Sequence, residues 1–356
     1  MKHRSASALL AGALLVLAAA PATAQNEWTF EGERLLVTNM IGEVTVRGHD
    51  GSRIIVRATP QGDDAGMLDF QVKQGGRAEF HVVYPLGQTQ SFSYPRRGGS
   101  SDFRADNWID ESSFLEDLYS DVRGRDRIKI RDNGDTEAWA DLEVLVPRGV
   151  ETRVAIVVGN ITASDVQAPV DLDTWSGPVE ASNIQGRTNI DTGSGSVVAT
   201  GIRGDLNVDT GSGSVKVTDV EGEDIRIDTG SGSVTVNGAK GQSFEVDTGS
   251  GSVKTTEIYA DNSVIDTGSG SVTLDLMNLS GGRHVIDTGS GGVTVNMPSD
   301  ASVRIIADTG SGGIDLDVPN AMLKRASRDH IELEIGGGSA TLEIDTGSGG
   351  ITLRTR

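Results

Sequence analysis

Residues 244–253 read FEVDTGSGSV, a stretch that sets Asp247, Thr248, Gly249 and Ser250 directly behind the apolar Val246. Asp-Thr-Gly after an apolar strand is also how the active-site turn of a pepsin-like aspartic protease reads. There, two carboxylates share one proton and act as general acid and base. That chemistry needs two copies facing each other. Here DTGSG begins at Asp191, Asp209, Asp228, Asp247, Asp266, Asp287, Asp308 and Asp345, at spacings of 18, 19, 19, 19, 21, 21 and 37 residues. So many copies at so regular a spacing describe a structural repeat, with the Asp residues in a row along one edge.

The flanks of the motif have strand periodicity. The residue before Asp is apolar in every copy (Ile190, Val208, Ile227, Val246, Ile265, Ile286, Ala307, Ile344), and six and eight residues after it come pairs such as Val215 and Val217, or Ile351 and Leu353. Apolar alternation with period two on both sides of a Gly-rich corner gives two half-buried strands per unit. A further apolar position at Ile202, Val220, Ala239 and Ile258 marks a second corner and a returning strand. Weaker copies lie upstream, at Asp173-Thr174-Trp175-Ser176-Gly177 and Val158-Gly159-Asn160-Ile161, and the gap before Asp345 is about two units, with a degenerate coil or excursion around Lys324 to Gly338.

The fold class that follows is all-β: a single-chain β-solenoid, β-helix-like, with about 18–21 residues per coil, each coil burying its apolar side chains against its neighbours. Residues 148 to 356 make roughly ten coils, a rod on the order of 50 Å long at about 4.8 Å per coil. Hairpin arrays and propellers fit less well, because a blade takes about 40 residues and aromatic anchors. The expected division is a signal peptide at 1–24, an N-terminal β region at 25–85, an inserted, partly disordered aromatic and basic loop at 86–137, and solenoid repeats over 138–356. Residues 26 to 60 are expected to cap one end and the final ITLRTR strand, with Arg354 and Arg356, to charge the other.

Bulk properties narrow the function. Lys2 and Arg4, the apolar run Ala8 to Ala20 and the small residues Ala22-Thr23-Ala24 have the form of a secretory signal. The implied destination is export, to the periplasm or to the extracellular space and cell surface. There is no cysteine to staple the product, and beyond the leader no apolar run is long enough to span a bilayer. Loss of the leader takes the formal charge from −20 to −22. Nucleic acid is therefore a poor partner, and cationic ligands a better one.

The pattern LLVTNMIGEVTVRGHDGSRIIVRA from Leu35, then LEVLVPRGVETRVAIVVGNITASDVQAPVDLDTWSGPV, then tandem VDTGSGSVKV units and a closing LEIDTGSGGITL, resembles the bacterial putative-adhesin β-strand-repeat family, an exported β-solenoid domain of unknown function. The likeness spans about Leu35 to Arg356. It implies a scaffold with adhesion or envelope roles, and it implies no catalytic residues.

Candidate chemistry is accordingly sparse. Each Asp is expected to accept hydrogen bonds from the following Gly and Ser amides, an Asx-turn that fixes the corner. No specific metal site and no cofactor are called for, but an oxygen-rich column at Asp191, Asp209, Asp228, Asp247, Asp266, Asp287 and Asp308 is where Ca²⁺ would sit. His49, His81, His284 and His330 are scattered and read as ordinary strand or surface residues. The inserted loop holds six of the fifteen aromatic residues. Its Phe92, Tyr94, Arg96, Arg97, Phe103, Trp108, Phe114, Tyr119, Arg125 and Arg127 form the candidate partner-binding set, since aromatic and Arg side chains dominate interface energies. The reading is a non-enzymatic, adhesin-like binding or structural module of the cell envelope, its partner an envelope or extracellular protein or glycan. The alternatives are a β-helix carbohydrate-active enzyme and an envelope-stress component binding cationic peptides.

Overall fold

The computed structural model describes residues 25–356 apart from 97–99, 121 and 123–126, so the leader expected at 1–24 lies outside the described residues. The chain is a β-solenoid of parallel, in-register strands. In a typical coil the strand Leu206–Thr210 leads into the Gly-Ser corner and the strand Val215–Glu221 leads away from it. The first pairs with Thr188–Thr192 of the coil below and Asp224–Thr229 of the coil above. All eight apolar residues that precede the motif Asp residues are buried, and the alternating outward positions are polar in most coils, with Val264, Val285 and Ile306 as apolar exceptions.

The corner is fixed by threonine. Each motif Thr turns inward and is buried. Thr229 Oγ1 donates to the carbonyl of Gly213 in the coil below at 3.1 Å and accepts the Gly232 N–H at 3.1 Å; Thr248 repeats the arrangement with Gly232 and Gly251 at 3.1 and 3.0 Å. One hydroxyl thus satisfies a turn amide of its own coil and a carbonyl of the next. The Asx-turn expected from the sequence is not what forms: alternation sends Asp outward, away from the amides that Thr already serves. The second Gly of the motif is required by close approach, because a Cβ at Gly251 would land on the carbonyl oxygen of Gly232 in the coil below.

At both ends the stacking order departs from chain order. Strands Arg34–Ile41 and Val44–His49 lie between the coil Glu151–Val158 and Ile161–Ser164 on one side and an outer rung, Arg77–Val83 with Trp139–Pro147, on the other. The segment 86–137 leaves the chain within that outer rung. Antiparallel strands Asp69–Lys73, Ile54–Gln61 and Asn26–Phe30 then cover it. At the other end, Ala340–Thr346 and Ile351–Thr355 slide between the coil of Asp287 and the coil of Asp308. The closing strand therefore fills an interior slot and does not form the charged end expected of it. The region around Lys324 to Gly338 is an excursion and not a degenerate coil: Met322–Ala326 and His330–Ile335 form an antiparallel hairpin that covers Val303–Thr309.

The segment 86–137 folds against the rod. Ser91–Ser93, Arg127–Arg131 and Ser100–Arg104 make a three-stranded sheet, with short helices at Asp106–Ile109 and Ser113–Leu118. Phe92, Tyr94, Phe103, Trp108 and Tyr119 are all buried. The Tyr119 hydroxyl sits between the backbone N and O of Tyr84 at 2.8 and 2.9 Å, and the Tyr84 hydroxyl reaches Asn39 and Ile41 of the enclosed rung. The aromatics noted in the sequence are the core of this subdomain.

Replacing Gly251 with Ala forces backbone separation between two coils, and is expected to cost about 3 kcal/mol or more. Gly281, with open space around its Cβ position, should accept Ala with a change of no more than about 0.5 kcal/mol. Urea unfolding of both variants checks this; equal losses would mean that the corner backbone is not in contact.

Candidate functional site

In-register pairing builds one outward column that reads His81, Thr38, Ala155, Asp173, Asp191, Asp209, Asp228, Asp247, Asp266, Asp287, Asp345 and Asp308 in spatial order. Its character changes at Asp173. Beyond that point it is carboxylate; before it, Ala155 and the neighbouring Val157 are buried, and the helix Asp106–Ile109 of the inserted subdomain contacts their strand. The subdomain stands where the acidic column stops, as a wall across its head.

Between wall and column are two adjoining clefts of about 310 and 340 Å³. One is lined by Phe103, Trp108 and Glu111 from the subdomain and by Asp173, Trp175 and Asp191 from the rod. The other is lined by Ser101, Asp102 and Arg131 opposite Trp175 and Ser194. Trp175 belongs to both. It is 46% exposed, against 1% for Trp108 and 6% for Trp139. Register puts Trp175 beside Val157 on one coil, and Gly193 occupies its place in the next full motif.

The clefts are electrostatically uneven. Arg153 donates to Glu111 at 2.8 Å and lies 3.5 Å from Asp173, tying subdomain to rod. Burial, followed by the nearby Glu111 and Asp191 carboxylates, pushes the Asp173 carboxyl up to about 7, with Arg153 opposing. Burial and a neighbouring Asp also raise Asp191, and burial with two neighbouring Asp residues raises Asp266 and Asp345. Among the described residues, Asp191, Asp209, Asp247, Asp266, Asp287 and Asp345 form no ion pair, whereas Asp228 lies 3.8 Å from Arg226 and Asp308 is 2.7 Å from His330. No three His, Cys, Asp or Glu side chains among the described residues converge on a point that could hold a metal ion. In-register carboxylates form a line, and a line does not wrap a cation.

Of the candidate contact residues, Tyr94, Phe103 and Trp108 line the clefts, as largely buried parts of the subdomain wall. Phe92, Tyr94, Phe103, Trp108 and Tyr119 are turned inward because the subdomain has no other core. Arg96 bonds Asp141 at 2.8 Å and lies over the Trp139 ring, and Arg127 pairs with Asp102 at 3.6 Å. These basic groups answer the protein's own carboxylates. Arg97, Arg125 and the side chain of Phe114 lie outside the described residues. The residue missed was Trp175, although the sequence held the signal: it is an aromatic where the full motif has glycine.

The histidines are structural. His81 bridges Thr38 and Glu79 at 2.8 and 3.0 Å, an order of hydroxyl, imidazole and carboxylate that a hydrolase would use, but Thr38 and His81 are fully buried. His284 is buried against Ser263 at 2.9 Å.

Because the raised carboxyl of Asp173 binds its proton more tightly in the folded chain than in the unfolded one, its contribution to stability is fullest below the ordinary carboxylate range and is lost as pH rises from about 4 to about 7. Asp173→Asn should match the parent near pH 4 and exceed it by about 1 kcal/mol at pH 8, discounted for solvent screening. Chemical denaturation across that range is the check; parallel curves would remove Asp173 as the titrating group.

Residues 198–354 match the model of the Toastrack DUF4097 family, which bears out over that part of the array the resemblance read from the repeats. Solved structures similar to the chain include a putative cell adhesion protein from Clostridium sporogenes, at 12% identity with 94% of this chain and 100% of that one covered and a TM-score of 0.19. Another is a putative adhesin from Bacteroides fragilis, at 8% identity, 94% and 98% coverage and a TM-score of 0.35. No curated protein matches the chain.

Proposed function

We propose that the protein is an exported, non-enzymatic binding module of the bacterial cell envelope, acting in the periplasm or at the cell surface, with the walled clefts around Trp175 as its contact site. The observation that carries this reading is the exposed Trp175 at the junction of subdomain and acidic column. The described aromatics of the subdomain are buried, and of the two half-exposed aromatics on the rod, Trp175 and Tyr259, Trp175 is the one that lines both clefts. A half-exposed indole between two concave surfaces is the type of side chain that anchors a partner. The rod supplies rigidity, since every coil is held by backbone pairing on both sides.

The leader-like N-terminus supports export, and among the described residues no helix is long and apolar enough to cross a membrane. Binding of the labelled full chain to isolated envelope fractions tests the reading. Trp175→Ala should lower affinity about tenfold while the circular dichroism stays unchanged; identical binding by the variant would overturn the assignment of the site.

One observation favours a second reading, a carbohydrate-active enzyme. Asp173, at about 7, has the protonation equilibrium that a general acid needs, and Glu111 and Asp191 lie in the same cleft. Release of reducing ends from envelope polysaccharides, lost in Asp173→Asn, would establish that reading; the binding module releases none.

A further inference from the structure

We propose that the two clefts sharing Trp175 bind a glycan chain that carries free amino groups, with a sugar ring laid on the Trp175 indole and an amine held by Asp173 and Asp191. This rests on the clefts being the contact site, and adds the chemical class of ligand.

Shape comes first. The clefts adjoin across one aromatic side chain, so a ligand crossing Trp175 enters both, and each volume lies at the lower end of the range for small-molecule sites, with room for one or two rings. That geometry suits an extended chain of rings better than a compact metabolite. A pyranose presents an apolar face of C–H groups, which an exposed indole can cover, and a rim of hydroxyls that need partners. Glycine at position 193, beside Trp175 in the cleft wall, adds no side chain to compete for the indole.

The polar complement is next. On the second side, Ser101, Ser194 and Asp102 offer hydroxyl and carboxylate groups at the cleft wall. On the first side, the carboxylates of Glu111, Asp173 and Asp191 line the wall.

Charge then selects among glycans. Arg153 is engaged by Glu111 and Asp173, while Asp191 forms no ion pair, and the column continues as further unpaired carboxylates. Arg131 lies in the wall of the second cleft, but Asp102, Asp173 and Asp191 outnumber it across the two, so that uronate and other acidic chains are disfavoured. A protonated amine gains twice, from the carboxylates and from the face of the indole.

Isothermal titration calorimetry of the full chain with a glucosamine hexamer, its N-acetylated counterpart and cellohexaose tests the proposal. The free-amine hexamer is expected to bind at least tenfold more tightly than the other two. Trp175→Ala should weaken it at least tenfold, and Asp191→Asn should narrow its advantage over the acetylated chain. Both positions are exposed, and unchanged circular dichroism verifies that the variants fold. Absence of binding by the glucosamine hexamer, indifference to Trp175, or tighter binding of an oligolysine of equal charge would overturn the ligand assignment. Should envelope binding depend on Trp175 while the glucosamine hexamer fails to bind, only the ligand class falls. If envelope binding ignores Trp175 as well, the site itself falls.

Discussion

The structure depends on one hydroxyl per coil. The motif threonine, buried and bonded both to an amide of its own corner and to a carbonyl of the coil below, lets the Gly-Ser-Gly turn stack on itself without leaving polar backbone atoms unsatisfied. Burying such groups unpaired costs about 1–3 kcal/mol each, so the repeated hydroxyl is what makes a closely packed glycine corner stable. Stacking at that distance excludes a side chain at the second glycine, and the motif is thereby constrained at both positions.

Once threonine takes the inward place, strand alternation leaves aspartate no choice but to face solvent. Two unit charges about 4.8 Å apart repel by roughly 0.9 kcal/mol in water and by more near a protein surface, and partial burial, followed by that repulsion, raises Asp191, Asp266 and Asp345. The rod tolerates the column because backbone pairing and the apolar interior hold it. Where the column meets the subdomain the same chemistry becomes local: Asp173 is the most displaced, Arg153 bridges the two bodies, and Trp175 replaces glycine.

Much of this was legible from the residues. Period-two alternation around a corner repeated about every 19 residues favours a solenoid over a propeller or hairpin array, and Leu206, Val208, Val215 and Val217 are inward as their spacing requires. The role of Asp was misread because Asp and Thr are both competent turn-capping side chains, and only the direction of the strand entering the corner decides which one reaches the amides. The order of coils at the ends was hidden for a different reason. Ala340–Thr346 carries the same pattern as every other strand, so nothing local tells it to insert between the coils of Asp287 and Asp308. The aromatics of 86–137 looked like a contact surface because composition does not distinguish a small core from an exposed patch; Trp175 was legible only as a break in the repeat.

The central claim, that threonine holds the corner and aspartate is displayed, is tested most directly at one coil by comparing urea unfolding of Thr248→Val and Asp247→Asn at pH 8. The account predicts a loss of about 2 kcal/mol for Thr248→Val, which strands the Gly251 N–H and the Gly232 carbonyl, and no loss or a small gain for Asp247→Asn. A larger loss for Asp247→Asn than for Thr248→Val would contradict it, placing the carboxylate at the structural centre of the coil.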